Sequence, residues 1–411
     1  NKRSGKAVVF AAALGALALT AACGANGTKD AASGGSDKIT YWVQLNPNAS
    51  QIVSNLAETP FAKKLMEKFG CEIEYMHPAQ GAASEKFNLL VATGKLPDII
   101  EYTWPTAYQG GAAKALADGI IQELDLEKDA PNLNAYIKDK PEIKKMMLTD
   151  DGKYFGYPFI RGDAYLQTSA GLFLRDDWLA ELGMDLPETI DDWEAVLAAF
   201  KDKCSGAPLG NAIQYGTAQG AFVSAYGVAD GLYVDNGKVK YGPMEDGYKD
   251  YLALMNKWFK AGYIDPDYAT VSNSQSQANI LNGVYGVGAG ACGSALGRIM
   301  AAATTPGFSV TGAKYPVLNR GERAMMGNYQ NAVTGTYAVI TRDCKNRELC
   351  TKLLDYGYCE EGEMLFNFGI EGESYTMVDG YPTFTDEITH NSEGLSMAVA
   401  MSRYTMSHTE A

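Results

Sequence analysis

Three histidines in 411 residues, His77, His390 and His408, limit the chemistry this chain can perform. They lie far apart in the sequence, which argues against a His-based metal site or nucleophilic triad. The carboxylate pairs Asp176-Asp177 and Asp191-Asp192 fall at the starts of helical patterns, where they complement the helix dipole. Neighbouring side chains point in different directions, so neither pair forms the facing couple, about 5 to 10 Å apart, that glycoside hydrolysis requires. Gly286-Val287-Gly288-Ala289-Gly290 lacks the Lys-Ser/Thr of a phosphate loop and the spacing of a dinucleotide fingerprint. It reads as a turn after a strand. Cys71, Cys204, Cys292, Cys344, Cys350 and Cys359 contain no CxxC pair and no zinc spacing. Their even number permits bridges in an oxidising compartment, but a chain of this size needs no staples, and they read mostly as reduced, buried thiols. The pattern leads away from catalysis, and neither a metal nor a cofactor is expected.

Cys23 is different. Lys2, Arg3 and Lys6 precede an uncharged stretch from Ala7 to Ala22. That stretch is shorter than the roughly 20 residues of a membrane-spanning helix and ends in small residues, as a secretory signal does. Leu19-Thr20-Ala21-Ala22-Cys23 is similar to a bacterial lipobox, with Thr20 where Leu is more usual. Residues 1–22 therefore read as a lipoprotein signal peptide and Cys23 as the lipidated residue, with two acyl chains giving stable membrane attachment. Residues 23–37 are rich in Gly, Ala and Ser and read as a flexible tether. Asn1 in place of Met implies that the initiator lies outside the sequence. The folded part is expected on the extracellular face of the cell membrane.

Beyond the tether the chain is too long for one core, and two domains are the natural expectation. A 46% hydrophobic and 20% charged composition is that of a globular protein. A net charge of -14 excludes a nucleic-acid partner, because phosphate recognition needs clustered Lys and Arg.

The elements follow α/β grammar. Ile39 to Val43 reads as a first strand; Thr59 caps a helix with Pro60 at its first position. Cys71 to Met76 is a second strand, Ala82 to Thr93 a helix closed by Gly94, and Pro97 to Ile100 a third strand. Gly171 to Leu174 is a strand, and Thr189 caps a helix that buries Trp193, Val196, Leu197 and Phe200. Val234 to Val239 is a hairpin on an Asn-Gly turn. Tyr337 to Ile340 is a late strand, followed by two helices. Trp178, Trp193 and Trp258 recur at helical spacing and read as core. The plainer reading of Arg175 is an ion pair with Asp176 or Asp177.

Five segments carry a family likeness: Leu96-Pro97-Asp98-Ile99-Ile100, Phe173 to Leu179, Leu186 to Trp193, Gly262 to Asp267 and Gly369 to Tyr375. In that order, behind a lipobox, they resemble the substrate-binding lipoproteins of bacterial ABC sugar importers, the LplA-like branch of the family 1 solute-binding proteins. The resemblance implies a type II periplasmic-binding-protein fold, two discontinuous α/β lobes around a ligand cleft. By analogy, one lobe takes residues 38–165 plus 317–365 and the other 166–316 plus 366–411. Members usually continue well past the Gly369 to Tyr375 motif, which implies a truncated or shortened C-terminus. The implied activity is non-catalytic: a monomer captures an oligosaccharide, closes by a hinge and delivers it to the ABC permease subunits. Rival readings are a secreted glycan-active enzyme, a ligand-presenting sensor, and a binding protein for a non-sugar solute.

A sugar site needs rings to stack on pyranose faces and planar polar groups for hydroxyls, and Tyr offers both. Ligands of open α/β sheets sit beyond the carboxyl ends of strands. Gln44 and Asn46 follow the first strand; Tyr102 and Trp104 follow the third. Arg161 and Asp163 lie near the first expected crossing. Tyr285 precedes the glycine-rich segment, Asn328 and Tyr329 precede the late strand, and Glu373 and Tyr375 sit in the last family-like motif. These are the candidate ligand contacts.

Overall fold

A computed structural model describes residues 37–168, 170–213, 220–325, 330–406 and 409–410. The signal segment, Cys23 and its tether, and the candidate residues Asn328 and Tyr329 lie outside the described residues.

β2 (Cys71–Met76) alternates buried and exposed positions and pairs in parallel with β1 (Asp37–Val43), which is buried from Tyr41 to Val43. Between them lies the helix Pro60–Phe69, for which Thr59 accepts a hydrogen bond from the Ala62 N–H and Pro60 supplies the first turn. Gly70, at φ 62°, ends that helix in the left-handed conformation that only glycine adopts freely. The helix Ala83–Thr93 leads to β3 (Ile99–Tyr102), parallel to β1 on its other side. These β-α-β crossovers are what a parallel sheet needs.

The next two strands show how the sheet is completed. β4 (Tyr157–Arg161) does not pair with β3. Between them sits β10 (Val333–Ile340), antiparallel to both, with a register shift between Val333 and Tyr337. The sheet order is β13-β4-β10-β3-β1-β2, in which β13 is Thr409–Glu410. Its core includes Tyr41, Ile99, Ile100, Trp104, Tyr157, Val339 and Leu353.

The intervening chain builds a second sheet. β5 (Ala170–Arg175) pairs antiparallel with β8 (Val287–Ala291) and β9 (Val310–Gly312). Its core gathers Trp178, Trp193, Phe200, Phe222 and Trp258, so the helical tryptophans are packing residues. The helix Ile190–Lys201 starts with a capping box between Thr189 and Asp192. β6 (Leu232–Asp235) and β7 (Lys238–Tyr241) form the hairpin, with Asn236 and Gly237 both at positive φ. Arg175 donates to Asp177 from Nε at 2.7 Å and stacks over Trp178 and Phe308, which leaves it structural.

Two expectations need correction. The segment Gly286 to Gly290 is no turn: Val287–Ala291 is a strand. A Cβ at Gly288 would stand 2.5 Å from the Phe173 ring, and one at Gly286 2.4 Å from Phe200. The glycines admit close aromatic packing, which spacing alone cannot distinguish from a turn. The C-terminal stretch from residue 366, assigned by analogy to the second lobe, packs on the first sheet's side. The helix Met397–Tyr404 contacts Pro60–Phe69 and Ala49–Gln51, β13 pairs with β4, and β11 (Tyr375–Val378) and β12 (Tyr381–Phe384) form a separate hairpin. Ala400 and Tyr404 of that helix pack with Ile388 in a small cluster of the C-terminal stretch itself. No helix among the described residues is long and apolar enough to cross a membrane.

Candidate functional site

β1 and β3 end side by side, with Val43 opposite Glu101. A cavity of about 480 Å³ opens beyond their carboxyl ends, where open α/β sheets place ligands. Its floor is the loop Gln44 to Ala49 together with Glu101, Tyr102 and Thr103; Met401, Ser402 and Thr405 close it from the C-terminal side.

The loop is held from below. His77 Nδ1 lies 2.8 Å from the Val43 carbonyl, and the Leu56 N–H donates to its Nε2 at 3.1 Å. Burial pushes His77 below its ordinary value, outweighing the Val43 carbonyl, so the ring is neutral and serves both partners. Gln80 Nε2 donates to the Leu45 carbonyl, and Asn46 Oδ1 accepts from the Asn48 N–H.

Two polar groups in this wall stand out. Glu101 is a buried carboxylate at the end of a core strand and accepts a 2.5 Å hydrogen bond from Tyr41 Oη. Burial, and next the Glu101 charge, push the Tyr41 phenol well above its ordinary value, which keeps it a donor. Asn48 Oδ1 is buried with no hydrogen-bond partner among the described residues. A buried acceptor left unpaired costs about 1 to 3 kcal/mol, and Asn48 is itself among the residues that line the cavity.

Amides, hydroxyls and one carboxylate beside Leu45, Tyr102, Met401 and Met406 suit a guest with many hydroxyls and some apolar surface. Glu101 is the one carboxylate among the described lining residues. Among the described residues no group of three His, Cys, Asp or Glu converges to hold a metal ion.

A family model for bacterial extracellular solute-binding proteins matches residues 60–364. The chain belongs to that family. Lipoprotein LipO of Bacillus subtilis (strain 168) is 25% identical over 421 residues, which covers 95% of this chain and 79% of LipO. The fructooligosaccharide ABC transporter substrate-binding protein FusA of Streptococcus pneumoniae serotype 4 is 27% identical over 61% of this chain. That match spans only about half of FusA, 51%. The polygalacturonan/rhamnogalacturonan-binding protein YtcQ of Bacillus subtilis (strain 168) is 28% identical over 55% of the chain and 45% of YtcQ. Among solved structures, alginate-binding protein AlgQ2 superposes with a TM-score of 0.75 at 21% identity, covering 91% of this chain and 78% of that one. An HMO-binding, ABC-transporter-associated solute-binding protein of Bifidobacterium longum infantis superposes with a TM-score of 0.69 at 21% identity, over 90% of this chain and 78% of that one. The fold is thus the two-lobed α/β fold of periplasmic solute-binding proteins.

In this solute-binding protein the cavity brings together three of the sequence candidates, Gln44, Asn46 and Tyr102. Tyr102 is half-buried, with its ring edge-on to Trp42 at 5.5 Å and tilted against Phe87 at 4.9 Å. Trp104 is not a contact residue: it is 0% exposed, packs against Phe87 and Tyr108, and donates from Nε1 to the Ile100 carbonyl at 3.3 Å. The Pro105 that follows places it in the first turn of a short helix, turned into the core. Tyr285 is likewise fully buried, donates its hydroxyl to Asp265, and lies flat where a Cβ on Gly210 would strike its ring.

The other candidates lie elsewhere. The Arg161 guanidinium donates to Gln330 and sits 5.5 Å over Phe159, while its carbonyl accepts from Gln167 Nε2. Asp163 is exposed and its Oδ1 accepts from the Tyr165 N–H in a turn. Both stand near the exit from β4, away from the cavity. Glu373 is exposed and Tyr375 buried against Phe368; Tyr375 borders a different groove, with Lys64, Lys68 and Glu361.

Asn48, Glu101 and His77 were missed by sequence reasoning. A charged residue closing the apolar run Ile99-Ile100 was a readable signal for Glu101. Asn48 and His77 offered none, because their roles depend on a loop whose path the sequence does not specify.

Proposed function

We propose that this solute-binding protein is the lipid-anchored receptor of an ABC importer: it captures an oligosaccharide outside the cell and delivers it to the membrane permease. The cavity at the carboxyl ends of β1 and β3 carries this reading, because Gln44, Asn46, Asn48 and Glu101 in its lining supply polar groups suited to a hydroxyl-rich guest. Relatives named for fructooligosaccharide and for polygalacturonan or rhamnogalacturonan binding support a saccharide as the guest. Cys23 anchors the chain at the extracellular face, and the Gly- and Ser-rich segment after it gives the receptor reach. Residues 38–165 with 317–365, and 166–316, act as lobes that close on the ligand by a hinge. Ligand drives that closure by binding the closed state more tightly.

A thermal-shift screen of the purified protein against neutral and acidic oligosaccharides and against peptides tests the reading, since a guest that binds only the native state raises Tm. Stabilisation by one class of saccharide, confirmed by calorimetry with the sugar recovered intact, is the expected result. Clear shifts from peptides with none from any saccharide overturn the substrate class. Recovery of cleaved sugar overturns the non-catalytic role.

A further inference from the structure

Cys344 and Cys350 place their sulfurs 3.6 Å apart, although both are free thiols in this structure. Their approach is imposed by the fold. Cys344 lies in the turn that follows β10, and that turn is tied to the start of β3 at four points. The Thr341 N–H donates to the Asp98 carbonyl, Thr341 Oγ1 to the Pro97 carbonyl, the Leu96 N–H to Asp343 Oδ2, and the Lys345 N–H to Asp98 Oδ1. Cys350 sits in the helix Arg347–Asp355, whose start is fixed by Asn346 accepting from the Leu349 N–H.

We propose that Cys344 and Cys350 form the one disulfide among the six cysteines downstream of Cys23, closed by thiol–disulfide exchange with a disulfide oxidant outside the cytoplasm. Exchange starts at Cys344, which is half-buried, whereas Cys350 is fully buried and reachable only through its partner. The hydrogen bond with Cys350 holds the Cys344 thiol below its ordinary value against the opposing effect of burial, and the same bond, with burial, pushes Cys350 up. The Cys344 thiolate attacks one sulfur of the oxidant and expels the first thiolate. Cys350 then loses its proton, attacks Cys344 Sγ in the mixed disulfide and expels the second. Two electrons and two protons leave the protein, and the oxidant becomes two thiols. The bond fastens the helix Arg347–Asp355 to the end of the sheet's central strand, a rigid part of the first core.

Trypsin cuts after Arg342, Lys345, Arg347 and Lys352, which makes the test direct. The full chain is incubated with oxidised glutathione, unfolded, alkylated without reduction and digested. The expected product is residues 343–345 joined to residues 348–352, with Cys71, Cys204, Cys292 and Cys359 alkylated. Oxidised protein is also expected to melt about 2 to 4 °C above reduced protein, and Cys344→Ser to abolish both the joined peptide and the shift. Full alkylation of both cysteines, or Cys350 joined to the peptide carrying Cys71, overturns the proposal.

Discussion

Asn48→Leu separates a binding residue from a packing residue, because its effects on stability and affinity are expected to run in opposite directions. In the free protein Asn48 Oδ1 is buried and has no partner among the described residues. Replacing such a group with an apolar one of similar shape relieves a penalty of about 1 to 3 kcal/mol. Melting entropy averages about 2.1 cal/mol/K per residue, so a folded unit of roughly 375 residues carries about 0.8 kcal/mol/K. The expected gain in Tm is therefore about 1 to 4 °C. The bound complex loses a neutral hydrogen bond, about 0.5 to 1.5 kcal/mol, equivalent to roughly 2- to 13-fold in Kd. Differential scanning fluorimetry of the free protein, with calorimetric titration of the saccharide found in the screen, measures both. A lower Tm with unchanged affinity would show that the Asn48 carbonyl serves the fold, and the reasoning would fail.

Glu101→Gln keeps a partner for Tyr41 but exchanges a charged acceptor for a neutral one, so affinity is expected to fall about 10-fold with little change in Tm; unchanged affinity would remove Glu101 from the site. Trp104→Ala empties a fully buried position and is expected to cost about 3 to 5 kcal/mol in urea unfolding, while folded variant still binds saccharide; lost binding at full stability would return Trp104 to the cavity. His77 has a folded-state value depressed by burial, so its contribution is complete above the ordinary value of 6.5 and is lost as pH falls through the depressed one. Protonation removes the acceptor for the Leu56 N–H, so Tm is expected to drop as pH falls below 6.5 in the natural protein. His77→Leu should be less stable at pH 7.5 and lack that step; equal slopes in a pH series would refute the role.

Much of the helical framework was legible, because helices announce themselves in capping chemistry: Thr59-Pro60 and Gly94 beside the first sheet and Thr189 beside the second each stand where local physics requires them. Strand ends pointed to the cavity for the same reason, and Gln44, Asn46 and Tyr102 line it. The errors at Trp104 and Tyr285 share a cause. An aromatic at the end of a strand faces either ligand or core according to one backbone rotation, and a neighbouring Pro or Gly does not say which. The glycine-rich strand failed differently, since a glycine needed for room beneath Phe173 looks the same as one needed for a turn. The path of residues 366–406 was out of reach because its partners, near residues 49–51 and 60–69, are more than 300 positions away.

The position of β10 between β3 and β4 also dictates an order of events during synthesis. Until Ile340 has left the ribosome, β3 has β1 on one side only and β4 has no neighbour, and the helix Pro131–Tyr136 lacks Asp355, whose carboxylate accepts from the Asn132 and Leu133 N–H groups. The sheet of β5, β8 and β9 is complete by Gly312. The segment inserted into the middle of the chain can therefore consolidate first, while the residues that begin the chain wait as open strands for those near its end.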